Sequence, residues 1–297
     1  MTPNKCPSAL LCSVLICLLA ACDGGEPARK EGTRGAADHL PSGESAFPLA
    51  GVDAGSSMST GDLFAAFRNL EVAGVRAHLA RVDEQPALLL FEIDLNLFEP
   101  VLVGTNGDSR PGLSAVEAVQ AFDVDLVIGS SFVSELHSLT PVGLLQIEGA
   151  TISELQSHGY TRVLGTRTDG LGVVASREYH RGMFTSAMQV GPGVVEQGAL
   201  DISERDLERP KYFRTFVGTC GATAIVGASQ IPMHLYTLGS RLLEVVADLD
   251  VSCDEVVNLA GDREVVLAVV SADRSRLAYF GHPQTAKAAL LGFRRRP

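Results

Sequence analysis

The stretch Cys253-Asp-Glu-Val-Val-Asn-Leu-Ala-Gly-Asp-Arg-Glu-Val-Val-Leu-Ala-Val-Val270 decides how the second half of this chain folds. Two apolar runs, Val256–Leu259 and Val265–Val270, flank a polar centre, Gly261-Asp262-Arg263-Glu264. Short apolar runs bounded by turn residues read as buried strands. The centre has two readings. Gly261-Asp262 suits the bend of a hairpin, with glycine at positive φ and aspartate bonding its own backbone. The alternative is a turn that carries chemistry.

Upstream, the spacing of Leu63, Phe64, Phe67 and Leu70 predicts a short helix over Asp62–Leu70. Val75–Val82 and Ala87–Asp94 read as strands around the turn signal Asp83-Glu-Gln-Pro86. Ser114-Ala-Val-Glu117 is a capping-box pattern that opens a helix to about Phe122. Val124–Ile128, Gly143–Ile147, Tyr160–Leu164, Leu171–Ala175, Ser186–Val190, Arg214–Thr219, Ala222–Val226 and Leu277–Phe280 are further strand candidates. A helix is predicted over Leu238–Leu249. Strands outnumber helices, short turns join many of them, and no strict β-α alternation appears. That pattern predicts an α+β fold, with a mixed, largely antiparallel sheet and packed helices in one globular domain over residues 61–297.

The chain has 297 residues, 46% of them hydrophobic, with a formal net charge of −11. The length supports a sizeable core. The acidity argues against a nucleic-acid partner, because a phosphate backbone calls for a basic face.

At the N-terminus, Lys5 precedes the apolar run Ala9–Ala21. It is too short for a bilayer-spanning helix, which takes about 20 residues, and it fits the core of an export signal over residues 1–21. The run ends Leu19-Ala-Ala-Cys22, which resembles a bacterial lipobox and marks Cys22 for lipidation. Ordinary signal cleavage without lipid is the alternative. Residues 22–60 are rich in Gly, Ser, Ala, Pro and charge, and have no apolar period, as expected of a tether. The localisation implied is the bacterial cell envelope, lipid-anchored on the periplasmic side, with the lipid as the only membrane contact.

Export removes Cys6, Cys12 and Cys17, and lipidation consumes Cys22, which leaves Cys220 and Cys253. In an exported chain a lone pair reads as a disulfide before a metal site, with two buried thiols as the alternative. No phosphate-binding loop, His-Glu-x-x-His, Gly-x-Ser-x-Gly or Cys-x-x-Cys occurs. The histidines, among them His78, His137, His158, His180 and His234, have no ligand spacing. Neither a metal nor a cofactor is expected. Ser130-Ser131 follows a buried strand and is a candidate nucleophile or substrate-contacting pair, or else an ordinary strand-end turn.

One ordered series of segments carries a resemblance. It runs through Arg81-Val-Asp83, Val127-Ile-Gly-Ser-Ser-Phe-Val133, Pro141-Val-Gly-Leu-Leu145, Glu148-Gly149, Gln189-Val-Gly-Pro-Gly-Val-Val195 with Gly198, and Arg214-Thr-Phe-Val-Gly218, and ends in Asn258-Leu-Ala-Gly261. Over about Val72–Leu290 the series resembles the phosphodiester glycosidase family. The resemblance implies hydrolysis of a glycosyl phosphodiester, with a carbohydrate partner. Asn258, Gly261 and Arg214 match the family pattern. Two positions depart from it: Gly129 stands where the family has asparagine, and Ala260 where it has aspartate.

Such a reaction needs a cation where phosphate charge develops and a carboxylate on the opposite face of the sugar. Arg214 fits the first role, or it pairs with a neighbour such as Glu208. Asp262, two residues beyond Ala260, is the substitute candidate for nucleophile or base. Asn258 is placed to orient a sugar hydroxyl or to cap the turn, and Gly261, Ser130 and Ser131 complete the predicted substrate contacts. The alternative function is a catalytically degenerate domain that binds envelope glycan or a protein partner.

Overall fold

The computed structural model describes residues 49–52, 60–82, 85–104, 112–129, 131–134 and 138–297. Cys22, the expected export signal and Ser130 lie outside them. The architecture is a β-rich sandwich, which overturns the expected α+β arrangement of a mixed sheet with packed helices. The described residues form three sheets, and only one strand pairing is parallel, Leu49–Val52 against Leu277–Gly281. That strand lies inside the segment read as a tether.

The seven-stranded sheet runs Ala199–Leu200, Gly193–Glu196, Glu255–Asn258, Thr215–Cys220, Thr223–Ser229, Gln85–Asp94, Val75–Val82. The six-stranded sheet runs Leu49–Val52, Leu277–Gly281, Val266–Val270, Leu126–Ile128, Ala289–Arg295, Phe98–Gly104. The five-stranded sheet runs Ala150–Ser153, Leu145–Ile147, Ser186–Val190, Arg162–Arg167, Gly170–Ala175.

All three sheets share one core. Phe91, Val217 and Val257 of the first, Leu267, Leu291 and Phe293 of the second, and Leu164 and Met188 of the third meet there, with Phe67 of helix α1 (Thr60–Arg68). The outer face of the seven-stranded sheet is covered by helix α3 (Leu235–Asp248), which buries Leu238 and Leu242 against Leu88, Leu90 and Phe216. The outer face of the six-stranded sheet is covered by helix α2 (Ala115–Phe122). Its capping box forms as the sequence predicts: Glu117 N donates to Ser114 Oγ at 3.1 Å, and Ser114 N to Glu117 Oε2 at 2.7 Å.

Burial on both faces explains the unbroken apolar runs. Leu267 and Val269 enter the central core, while Val266, Ala268 and Val270 face α2. Such a strand loses the period-2 signature that would reveal its orientation.

The opening stretch is not a hairpin. Glu255–Asn258 pairs with Gly193–Glu196 and Thr215–Cys220, whereas Val266–Val270 pairs with Leu277–Gly281 and Leu126–Ile128. The polar centre is a single 3₁₀ turn, Asp262–Glu264, that carries the chain from one sheet to the other. The hairpin lies one strand later, at the Ser271–Arg276 turn. There the hydroxyls of Ser271 and Ser275 donate to the Asp273 carboxylate and hold its pKa at about 2. Cys220 and Cys253 form a disulfide in the core beneath α3.

Candidate functional site

Two backbone segments clasp to make the site. Asp262 N donates to Phe213 O at 3.1 Å, and Phe213 N donates back to Asp262 Oδ1 at 3.0 Å. A Cβ at position 261 would collide with the Phe213 carbonyl, so this approach requires glycine. The positive φ sits on Asp262 (51°), not on Gly261 (−123°), contrary to the simple turn reading. Thr215 Oγ1 donates to Ala260 O at 2.6 Å and ties the same two segments one residue deeper.

Arg214 leaves the start of the Thr215–Cys220 strand. Its backbone N donates to Ser229 Oγ at 2.7 Å, its Nε to Met233 O at 3.4 Å, and its guanidinium lies 5.0 Å from the Tyr212 ring centre. Burial pushes its pKa down, and the charges of Asp206, Asp262 and Tyr212 oppose that shift. The alternative pairing with Glu208 is not formed. Among the described residues no carboxylate lies within ion-pair distance of this guanidinium. Asp206, the carboxylate with the strongest effect, accepts instead from Tyr236 N at the start of α3.

Arg214, Asp262, Gly261 and Ala260 line one hollow of about 210 Å³, together with Glu264, Tyr212, Phe132 and Val133. The structure therefore brings Arg214, Gly261 and Asp262 together. It does not bring Asn258 or Ser131 to that surface. Asn258 is buried, with Nδ2 donating to Gly191 O at 3.3 Å and Oδ1 unpartnered among the described residues. Ser131 is buried, and its backbone N donates to Ala289 O at 3.3 Å.

Gly129 has φ +55°, and a Cβ there would collide with the Leu259 side chain. A side chain at this position has no room.

Four lining or supporting residues escape the sequence reading. Phe132 and Val133, rather than Ser131, form the wall. Glu264 faces the hollow while 7% exposed, and behind it Lys287 is fully buried. Lys287 Nζ donates to Arg263 O at 2.8 Å and lies 3.4 Å from Glu264 Oε2. A lone lysine inside the apolar run Ala286–Leu291 was the available signal.

A larger polar hollow of about 660 Å³ surrounds Arg162. Its guanidinium is already shared by Asp201 (2.7 Å), Glu196 (3.3 Å) and Glu255 (3.3 Å). That charge is spent, whereas Arg214 retains its capacity for an anion.

No family model matches the chain, and no curated protein matches it. Solved structures do. The catalytic domain of zebrafish N-acetylglucosamine-1-phosphodiester alpha-N-acetylglucosaminidase, in a form auto-inhibited by its pro-peptide, is similar with a TM-score of 0.55 and 14% identity, over 75% of this chain and 82% of that one. A hypothetical protein from Synechocystis is similar with a TM-score of 0.53 and 11% identity, over 76% of this chain and 63% of that one. A candidate exported protein of Burkholderia pseudomallei has a TM-score of 0.44 at 10% identity, over 70% and 74% of the two chains. The first two likenesses establish a shared fold. None of the three establishes a shared activity.

Proposed function

We propose that the domain hydrolyses a glycosyl phosphodiester, or a related glycoside, of envelope glycan. One observation carries this reading: a half-buried guanidinium, without an ion-pair partner among the described residues, and the carboxylate residues of one turn meet in a single hollow. The fold shared with a glycosidase catalytic domain supports it. In this reaction a water oxygen bonds to the anomeric carbon as its proton passes to a carboxylate of the Asp262–Glu264 turn. The bond from that carbon to the phosphate oxygen breaks, and its electron pair leaves with the phosphate monoester. The guanidinium of Arg214 meets the charge that develops there, and the proton passes on to solvent. A phosphate monoester leaves without full protonation, so no strong general acid is required.

The soluble domain is expected to turn over a chromogenic glycosyl phosphodiester, with Arg214→Ala lowering kcat/KM by about 10²-fold or more. An unchanged rate in that variant removes Arg214 from the mechanism. In this reading the chain is exported and held through Cys22. Metabolic fatty-acid labelling that survives Cys22→Ser would sink the anchor.

A binding-only role is the second reading. It is favoured by Ala260 and by the commitment of Asp262 Oδ1 to the Phe213 N–H. Saturable glycan binding by a domain that turns nothing over would select it.

A further inference from the structure

We propose that Glu264 is the carboxylate that works opposite Arg214, and that Lys287 is the buried counter-charge that positions it. The chemistry in this inference rests on the hydrolase reading; its electrostatics do not. Three observations lead to it. The two carboxylates in the described lining of the hollow, Asp262 and Glu264, both come from the turn. Of the two acids there, Asp262 is exposed and has one oxygen bound to the Phe213 N–H, a structural bond that closes the turn. Glu264 is buried while lining the hollow, and its Oε2 lies 3.4 Å from an ammonium with no exposed surface.

Lys287 is fixed at both its ammonium and its backbone. Lys287 Nζ donates to Arg263 O at 2.8 Å, while its backbone N and O bond Leu113 through an isolated bridge. The carbonyl of Lys287 also lies where a side chain on Gly112 would have to pass. Lys287 thereby pins both the backbone and the carboxylate of the turn. Burial lowers its pKa, and the neighbouring Glu264 carboxylate opposes that shift.

The hollow therefore has Arg214 and Glu264 in its lining, a row of charges completed by Lys287 behind Glu264. Glu264 takes the water proton in the step described above. Lys287 touches no substrate and acts through Glu264.

Two measurements on the folded domain test this: hydrolysis of a chromogenic glycosyl phosphodiester, and calorimetric binding of a hexose 1-phosphate. Glu264→Gln is expected to lower kcat by about 10²-fold or more. It should also tighten hexose 1-phosphate binding about five- to tenfold, because a negative charge beside the anion is gone. Lys287→Met should weaken that binding by a similar factor, since Glu264 then loses its buried counter-charge. In the Glu264→Gln background, Lys287→Met should change binding less than twofold. A purely structural lysine would act equally in both backgrounds, and that result overturns its role. The neutral double variant keeps the test open even if Lys287→Met alone does not fold.

Glu264→Gln that leaves both rate and affinity within twofold of an active parent overturns the assignment and spares the hydrolase. A parent without turnover that shows the predicted affinity pattern overturns the hydrolase, and the charge row stands as part of an anion-binding pocket. A parent that neither hydrolyses the diester nor binds the hexose 1-phosphate overturns both.

Discussion

Lys287→Met is expected to cost about 3–5 kcal/mol of folding stability, while Lys287→Met combined with Glu264→Gln recovers most of it. The asymmetry follows from burial. Lys287 has no exposed surface, and the side chain of Glu264 is 9% exposed, so removing one charge strands the other in a poorly solvating interior. Removing both leaves a methionine and an amide near the Arg263 carbonyl, which no longer holds an ion. Urea unfolding with unchanged m-values would read the difference. Equal losses in the single and double variants would show that the pair is not coupled. The lowered pKa of Lys287 adds a sign. As pH rises, the native chain releases this proton before the unfolded chain does. Over that alkaline window the unfolded state binds more protons, and this group contributes stability that grows with pH.

The second large effect concerns the disulfide. Cys220 and Cys253 are 33 residues apart in sequence, and closing that loop stabilises the fold by about 3–4 kcal/mol in the chain-entropy model. Cys220→Ala with Cys253→Ala should lower stability by that amount and leave binding at the hollow unchanged. The reason is distance along the strand. Cys220 ends the strand that Arg214 precedes, and a six-residue strand spans about 20 Å. A loss of ligand affinity matching the loss of stability would show that the two ends of the strand are coupled after all.

Much of the strand content was legible in the sequence. Val75–Val82 matches its predicted bounds, and the Ser114 capping box fixes the start of α2. The layering was not legible. Val256–Leu259 and Val265–Val270 are apolar on both sides because a helix covers one face and the shared core the other, so their period names neither sheet nor partner. Phe98–Gly104 was missed because Pro100 interrupts it. Proline is tolerated there because the strand is the last of its sheet.

At the site, Arg214 and Asp262 are flagged by family resemblance and by proximity to Ala260. Glu264 and Lys287 find each other only across 23 residues of folded chain, which no local pattern predicts. Ser131 drew attention by type, whereas Phe132 and Val133, ordinary in sequence, form the wall.

The step that the chain takes between sheets at Asp262–Glu264 means that neither layer owns the hollow. Arg214 arrives with one leaf of the sandwich, while Lys287 and the residues after Glu264 arrive with the other. The cavity is a property of the seam. Anything that parts the leaves erases it before either leaf has melted, so ligand capture should report on closure of the whole sandwich.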